Sequence, residues 1–79
     1  MKVYIIHSEK LDKYYVGSTQ DIDVRLKIHN TGASKFTKSG IPWTIVHAVD
    51  CINRTEALRL EKKIKKRGIK RYLIDIGFF

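Results

Sequence analysis

Five polar side chains lie in or beside apolar segments of this sequence, and each has chemistry that catalysis at a phosphate group can use. They are Tyr4, Tyr15, Arg25, His29 and Glu61. A histidine can bind phosphate, donate a proton or accept one near neutral pH. An arginine beside a reacting phosphate stabilises the charge that develops there. A phenol has a free pKa of about 10, so it acts as a base only with help from a metal ion or nearby cations.

Glu61 is the most unusual of the five because it interrupts the apolar stripe of a predicted helix. Ala57, Leu60 and Ile64 define that stripe. Glu61 lies within it, four positions after Ala57, where a carboxylate needs an ion-pair partner, a metal ion or contact with water in a cleft. The pattern leaves two interpretations open. Glu61 is either a metal ligand, since one carboxylate with substrate phosphate oxygens suffices for hydrated Mg²⁺, or a rim residue that reaches solvent or pairs with a lysine such as Lys65.

Arg25 and His29 are four positions apart on another predicted helix, so their side chains are neighbours on one helix surface. Ile22 and Leu26 share that face. The pair fits a phosphate-binding site, but taken alone it fits the polar boundary of an ordinary amphipathic helix better. The spacing alone does not decide between the two.

Tyr4 and Tyr15 each lie in a short run of β-branched and aromatic residues that reads as a strand. If the two strands pair, both phenols can face one site, although a tyrosine in a strand is more often simply part of the core or the surface. Tyr14 must then face the opposite side of the sheet from Tyr15. Gly17 in the second strand indicates a bulge or a close approach of the backbone or a ligand.

The elements that must position these residues follow the order β-β-α-β-α, which is an α+β arrangement. The patterns predict strands over residues 2–7, 14–18 and 43–49, and helices over about 22–30 and from Asn53 to near Gly68. Asp21 and Asn53 are the expected N-caps. A short polar connection joins the first two strands, so we expect a three-stranded antiparallel sheet flanked by helices. Residues 69–79 fit either a short helix or a strand.

The size and charge indicate a single basic domain over residues 1–79. In this chain of 79 residues, sixteen Lys and Arg oppose eight Asp and Glu, for a formal net charge of +8. Such an excess favours a polyanionic partner, chiefly nucleic acid. Ribosomal association, anionic lipid or a self-repelling soluble surface would satisfy the charge as well.

Several classes of protein are excluded by what the sequence lacks. The single cysteine, Cys51, excludes an internal disulfide framework and agrees with a reducing cytoplasm. No apolar run approaches about 18 residues and no signal-peptide pattern is present, so we expect a cytoplasmic protein without a membrane span. His7 and His47 lack the spacing of zinc ligands. Paired acids for glycoside chemistry, a glycine-rich phosphate loop and a Ser-His-Asp order are also absent.

The densest positive charge follows Glu61 directly and has no interleaved acids. We expect it to contact nucleic-acid phosphates, although a solvated helix face explains a lysine-rich helix equally well. A second phosphate-facing loop is indicated by two lysines that flank Phe36. The candidate nucleic-acid-binding residues are Lys35, Lys38, Lys62, Lys65, Lys66, Arg67, Lys70 and Arg71.

Two short motifs identify a family that this chain resembles over residues 2–72. Val3-Tyr4-Ile5 stands at the first motif, and Tyr15-Val16-Gly17 closely matches the second motif, of the GIY-YIG nuclease superfamily. The resemblance is to its small single-domain members, related to the N-terminal module of UvrC-type excinucleases. Also typical of them are Arg25-Leu26, His29-Asn30, the loop around Gly32 and Phe36-Thr37, and Glu56-Ala57-Leu58 leading to Glu61. The chain departs from many relatives at Ser18 and at Tyr72-Leu73.

The resemblance implies a role for each of the five side chains. Glu61 looks like the metal ligand and Arg25 like the phosphate clamp. Tyr4 and Tyr15 look like the tyrosines that orient or activate the attacking water. His29 stands where relatives place a His or Tyr near the nucleophile, and the identity of the general base stays open.

The resemblance also implies a function. We expect an endonuclease, a hydrolase of DNA phosphodiester bonds in DNA repair or maintenance, with Mg²⁺ or Mn²⁺ as its cofactor and a possible protein partner in repair. The alternative is a non-catalytic basic module that binds nucleic acid and keeps the GIY-YIG scaffold. A requirement for metal distinguishes the two.

Overall fold

Three strands and three helices make up residues 1–78, which a computed structural model describes; Phe79 lies outside the described residues. In chain order they are β1 (Lys2–Ser8), β2 (Lys13–Thr19), α1 (Ile22–Asn30), β3 (Trp43–Asp50), α2 (Arg54–Arg67) and α3 (Ile69–Asp75). A single 3₁₀ turn, Lys38–Gly40, interrupts the connection from α1 to β3. The predicted α+β order is confirmed, and α3 shows that residues 69–75 of the tail are helical.

The sheet is antiparallel with the strand order β2-β1-β3, so β1 lies in the middle. Four consecutive residues of β1, from Val3 to Ile6, are buried, as expected for a central strand covered on both faces. Tyr4 lies opposite Gly17 in β2, and the register with β3 shifts between Ile5 and Ile6. The predicted three-stranded antiparallel sheet is confirmed.

The two faces of the sheet carry different cores because side chains alternate along β1. Val3 and Ile5 pack on one face with residues of α2 and α3, namely Ala57, Ile64 and Leu73. The opposite face holds Tyr4 and Ile6 with Trp43, covered by Ile22, Leu26 and Ile41. Tyr4 therefore lies on the face that α1 covers, and the site is assembled there.

Side-chain caps start α1 and α2 where the sequence predicts them. The Asp21 carboxylate accepts from the backbone N–H groups of Asp23 and Val24, each at 3.1 Å. The Asn53 side chain accepts from the Glu56 N–H at 2.9 Å. These bonds satisfy helix N–H groups that have no partner within the helix. Within residues 1–78, none of the helices is long and apolar enough to cross a membrane.

The connection between α1 and β3 is held by polar contacts around Trp43. The Trp43 indole N–H donates to the Thr37 carbonyl at 2.7 Å, and the Asn30 side chain bonds both the backbone N–H and the carbonyl of Trp43. A Cβ atom on Gly40 would lie 2.5 Å from the Trp43 ring, so only glycine fits this turn. These contacts hold the connection against the rest of the protein, and the Thr37 side chain is buried.

Candidate active site

The hydroxyl group of Tyr4 is the point where residues from β1 and α1 meet. It lies 2.9 Å from Nε2 of His29, and Nε of Arg25 donates to it at 3.4 Å. Tyr4 is only 2% exposed and His29 is fully buried. The structure thus brings together three of the five side chains singled out in the sequence.

Gly17 leaves the space that the Tyr4 ring occupies. The two residues are opposite each other in the β1–β2 pair. A Cβ atom at position 17 would lie 2.6 Å from the Tyr4 hydroxyl oxygen and 2.8 Å from the adjacent ring carbon. The β1–β2 register shows no bulge at Gly17, and what approaches it closely is the ring of Tyr4 rather than another backbone segment.

Tyr15 completes the aromatic side of the site. Its ring centroid lies 5.3 Å from that of His29, in an edge-on arrangement. Tyr15 is half-buried, whereas Tyr4 is buried. Tyr14 faces the other side of the sheet, where its ring centroid lies 4.6 Å from that of His7. The predicted opposite orientations of Tyr14 and Tyr15 are confirmed.

His29 is held between two hydroxyl groups and does not reach solvent. Its Nε2 contacts the Tyr4 hydroxyl, and its Nδ1 lies 2.8 Å from the Thr37 hydroxyl oxygen. Burial, helped by the positive charge of Arg25, lowers the pKa of His29 below its ordinary value. The imidazole is therefore buried and neutral, and Tyr4 and Thr37 are its hydrogen-bond partners within residues 1–78. The sequence singled out His29 and did not identify the role of Thr37.

Charges around Tyr4 connect it to Arg25 and Glu61. Burial raises the pKa of Tyr4, the Arg25 guanidinium opposes that rise, and the negative charge of Glu61 adds to it. The hydrogen bond to Tyr4 in turn raises the pKa of Arg25. Tyr4 is therefore a neutral phenol at neutral pH, and Glu61 lies close enough to influence it.

Glu61 comes from α2 and lies at the rim of the helix. Its side chain is 18% exposed, and Lys65 donates to one of its carboxylate oxygens at 2.9 Å. The ion pair with Lys65 and the contact with water are both those expected of a rim residue, and the role of Glu61 as a metal ligand stays a prediction. Glu61 lies in a surface depression of about 350 Å³ whose lining also includes Thr55, Leu58, Arg59, Lys62 and Lys65.

Arg59 is a lining residue that the sequence reasoning missed. It precedes Lys62 by three positions, so the two cations lie one helical turn apart on α2. The spacing of Arg59 and Lys62 could have identified Arg59, but the predicted basic run began at Lys62.

A match to a family model over most of the chain identifies the family. Residues 1–72 match the GIY-YIG catalytic domain. The chain belongs to the GIY-YIG family. The two motif strands of this family are β1 and β2, and the packing of Tyr4 against Gly17 joins the first motif to the second.

The relatives within the GIY-YIG family include small proteins and one longer endonuclease subunit. A UPF0213 protein of Streptococcus pneumoniae is 34% identical over 68 residues, which cover 84% of this chain and 69% of that protein. The structure-specific endonuclease subunit slx1 of Schizosaccharomyces pombe is 44% identical over 68 residues, covering 81% of this chain but only 25% of the subunit. The solution structure of a UPF0213 protein from Bacillus halodurans superposes with a TM-score of 0.58 at 29% identity, covering 96% of this chain and 83% of that one.

GIY-YIG nucleases generally use divalent metal ions, and Glu61 is suited to hold one. Residues 1–78 contain no group of three or more His, Cys, Asp or Glu side chains placed to bind a metal together. If Glu61 holds a divalent ion, most of the other ligands would be water and phosphate oxygens. Hydrated Mg²⁺ is commonly bound in this way. The partly exposed Glu61 carboxylate, open to water in a depression, fits that requirement.

The predicted nucleic-acid-binding residues do not form one uniform surface. Lys62 and Lys65 line the depression with Glu61. Arg67 instead forms a two-bond ion pair with Asp75 of α3, at 2.7 and 3.0 Å. Two members of the basic run therefore have acidic partners, because the fold places Glu61 beside Lys65 and Asp75 beside Arg67. The remaining predicted residues are exposed: Lys35, Lys38, Lys66, Lys70 and Arg71, with Phe36 at 89% exposure between the first two.

Replacing His29 with Gln should flatten the pH dependence of stability on the acidic side. The lowered pKa of His29 means that the unfolded chain, with a histidine pKa of about 6.5, binds a proton more readily than the folded one. The free energy of unfolding should thus fall as the pH drops below about 6.5, until the folded protein also takes up the proton. Urea denaturation at a series of pH values measures this slope.

The matched control is His47→Gln, which changes a half-buried histidine beside Tyr72 on the other side of the sheet. If the acid slope arises at His29, His29→Gln should lose more of it than this variant does. An equal slope for the chain with and without His29 would contradict a buried neutral His29.

Proposed function

We propose that this chain is a metal-dependent endonuclease that hydrolyses DNA phosphodiester bonds. The supporting observation is the contact of Tyr4 with both Arg25 and His29, within electrostatic reach of Glu61. Each of these residues stands at a position that the family resemblance assigns to catalysis. The excess of positive charge, +8 over 79 residues, suits DNA as the substrate.

Arg25 is the residue that would bind the scissile phosphate. The Nε atom of Arg25 donates a hydrogen bond to the Tyr4 hydroxyl. Within residues 1–78 the terminal amino groups of Arg25 have no hydrogen-bond partner. They are thus available to donate to non-bridging phosphate oxygens, where they would offset the charge that grows in the transition state. The bond to Tyr4 orients the guanidinium without consuming its two outer nitrogens.

Glu61 is the residue that would hold Mg²⁺ or Mn²⁺. When bound, such an ion stabilises negative charge on the departing oxygen. Lys65 already neutralises the Glu61 carboxylate at 2.9 Å, so its ammonium group must move aside or share the carboxylate with the ion. Glu61 has a second carboxylate oxygen for this purpose.

Tyr4, Tyr15 and His29 would position the attacking water and receive its proton. Tyr15 is the more exposed of the two tyrosines, which suits it to contact water. Tyr4 is buried and joined to His29, which suits the pair to carry a proton away from the reacting atoms. This division of roles follows from burial alone.

The second candidate function is a nucleic-acid-binding module without catalysis. The observation in its favour is that Lys65 pairs with Glu61, while residues 1–78 show no larger cluster of metal ligands. Such a module binds DNA without any need for metal.

The slx1 relative is named as a structure-specific endonuclease subunit. We therefore propose branched DNA as the substrate of this chain. We also propose that the protein acts in DNA repair together with a protein partner, and that it is located in the cytoplasm.

Replacing Glu61 with Gln should reduce DNA cleavage by roughly 100-fold or more, the scale of a lost transition-state contact. The amide keeps the size of the side chain and removes the charge that attracts a divalent ion. DNA affinity measured without metal should change little. The matched control is Glu56→Gln, an exposed glutamate on the same helix, which should cut normally. Cleavage by Glu61→Gln at the original rate would contradict the proposed site.

Replacing Lys62 with Ala should weaken DNA binding more than replacing its neighbour Lys63. Both residues are exposed lysines on α2, but only Lys62 lines the depression that contains Glu61. Loss of one phosphate contact should lower the slope of log K against log salt by about 0.9. Fluorescence anisotropy of labelled duplex DNA at several salt concentrations measures both quantities. Equal losses for the two variants would show that this depression does not face DNA.

A further inference from the structure

His29 lies between two buried hydroxyl groups that determine where its proton resides. Tyr4 Oη is 2.9 Å from Nε2, and Thr37 Oγ1 is 2.8 Å from Nδ1. His29 and Thr37 are fully buried, so solvent does not compete for these bonds. A neutral imidazole has one N–H and one lone pair, so each of its two nitrogens has a different role.

The hydrogen bonds around Tyr4 favour one of the two tautomers. Arg25 Nε can only donate, so the Tyr4 oxygen accepts from it. The phenolic hydrogen needs an acceptor, and within residues 1–78 Nε2 of His29 is the acceptor within hydrogen-bond distance. Nε2 then carries the lone pair, Nδ1 carries the hydrogen, and Thr37 Oγ1 accepts it.

The other tautomer leaves the stronger donor without a partner. In that arrangement Thr37 would donate to Nδ1, and the N–H at Nε2 would point at the Tyr4 oxygen. The phenolic hydrogen of Tyr4 would then have no acceptor in the part of the chain that the structure describes. A phenol, with a free pKa of about 10, is a far more acidic donor than an alcohol. Leaving the Thr37 hydrogen without a partner is therefore the smaller loss.

We infer that Thr37 is a positioning residue whose hydroxyl oxygen accepts the Nδ1 proton of His29 and so keeps Nε2 free to accept a proton from Tyr4. The tautomer follows from the contacts alone, whereas its catalytic consequence rests on the proposed function. Thr37 itself touches neither substrate nor metal in this role.

The consequence for catalysis is the transfer of two protons. As the lone pair of water forms the new P–O bond, the proton of the water passes to Tyr4 Oη, and the original phenolic proton passes to His29 Nε2. The electron pair of the broken P–O bond leaves with the departing oxygen. His29 ends as an imidazolium whose Nδ1–H remains bonded to Thr37, which stabilises the new charge.

The fold fixes Thr37 for this role from the backbone outward. Its carbonyl accepts from the Trp43 indole at 2.7 Å, and its N–H bonds the Ser34 carbonyl at 3.3 Å. Its sequence neighbours Phe36 and Lys38 are exposed, so the backbone turns only the Thr37 side chain inward. The hydroxyl is thus held at His29 independently of any bound DNA.

The test compares Thr37→Val with Thr37→Ser. Valine keeps the shape of threonine and removes the hydroxyl, while serine keeps the hydroxyl. Long-range ¹H–¹⁵N NMR of the imidazole nitrogens reports the tautomer directly in the free protein. The chain has 3 histidines, and a His29→Gln sample assigns the signals of His29. Urea denaturation confirms that each variant is folded.

The inference predicts a protonated Nδ1 and an unprotonated Nε2 in the original chain and in Thr37→Ser. In Thr37→Val the population should shift toward the Nε2-protonated form, and cleavage should fall about 10-fold or more if it depends on this proton path. A protonated Nε2 in the original chain would overturn the inference, as would an unchanged tautomer in Thr37→Val. If Thr37→Val does not fold, the original chain and Thr37→Ser still give the deciding signals.

The NMR result separates this inference from the proposed function. A protonated Nδ1 in a chain that does not cut DNA would support the positioning of His29 and contradict the nuclease. Cutting by a chain with a protonated Nε2 would support the nuclease and contradict the role of Thr37.

Discussion

The packing of Tyr4 against the backbone at Gly17 is the contact on which the site depends. It places a phenol in the buried centre of the sheet, where the hydroxyl needs polar partners to offset the loss of water. Arg25 and His29 of α1 supply them. The same contact therefore holds α1 against the sheet and brings three candidate site residues together. Any side chain at position 17 would push the Tyr4 ring away from both partners.

The part of the candidate site around Glu61 is held more loosely than the part around Tyr4. Glu61 lies at the rim of α2, and its ion-pair partner within residues 1–78 is a flexible, exposed lysine. Exposed ion pairs of this kind contribute little stability, so Lys65 can leave the carboxylate at low cost. Buried Tyr4 and His29 have no such freedom. The fold thus combines a fixed Tyr4–His29 hydrogen bond with an adaptable carboxylate.

Features set by local pattern were predictable from the sequence, whereas those set by tertiary contact were not. Both N-caps and the opposite orientations of Tyr14 and Tyr15 follow from turn chemistry and strand alternation. The Arg67–Asp75 pair was missed because it depends on how α3 folds back on α2. The bond from Thr37 to His29 was missed because it depends on a loop whose path is fixed by Trp43.

The most direct test of the account is a cleavage time course on supercoiled plasmid and on branched DNA. Each substrate is incubated with the purified chain and Mg²⁺, Mn²⁺ or EDTA, and binding is measured on the same samples. The account predicts nicking of at least one substrate with metal and none with EDTA. Binding of both substrates without cutting under any metal condition would contradict it, and so would cutting that persists in EDTA.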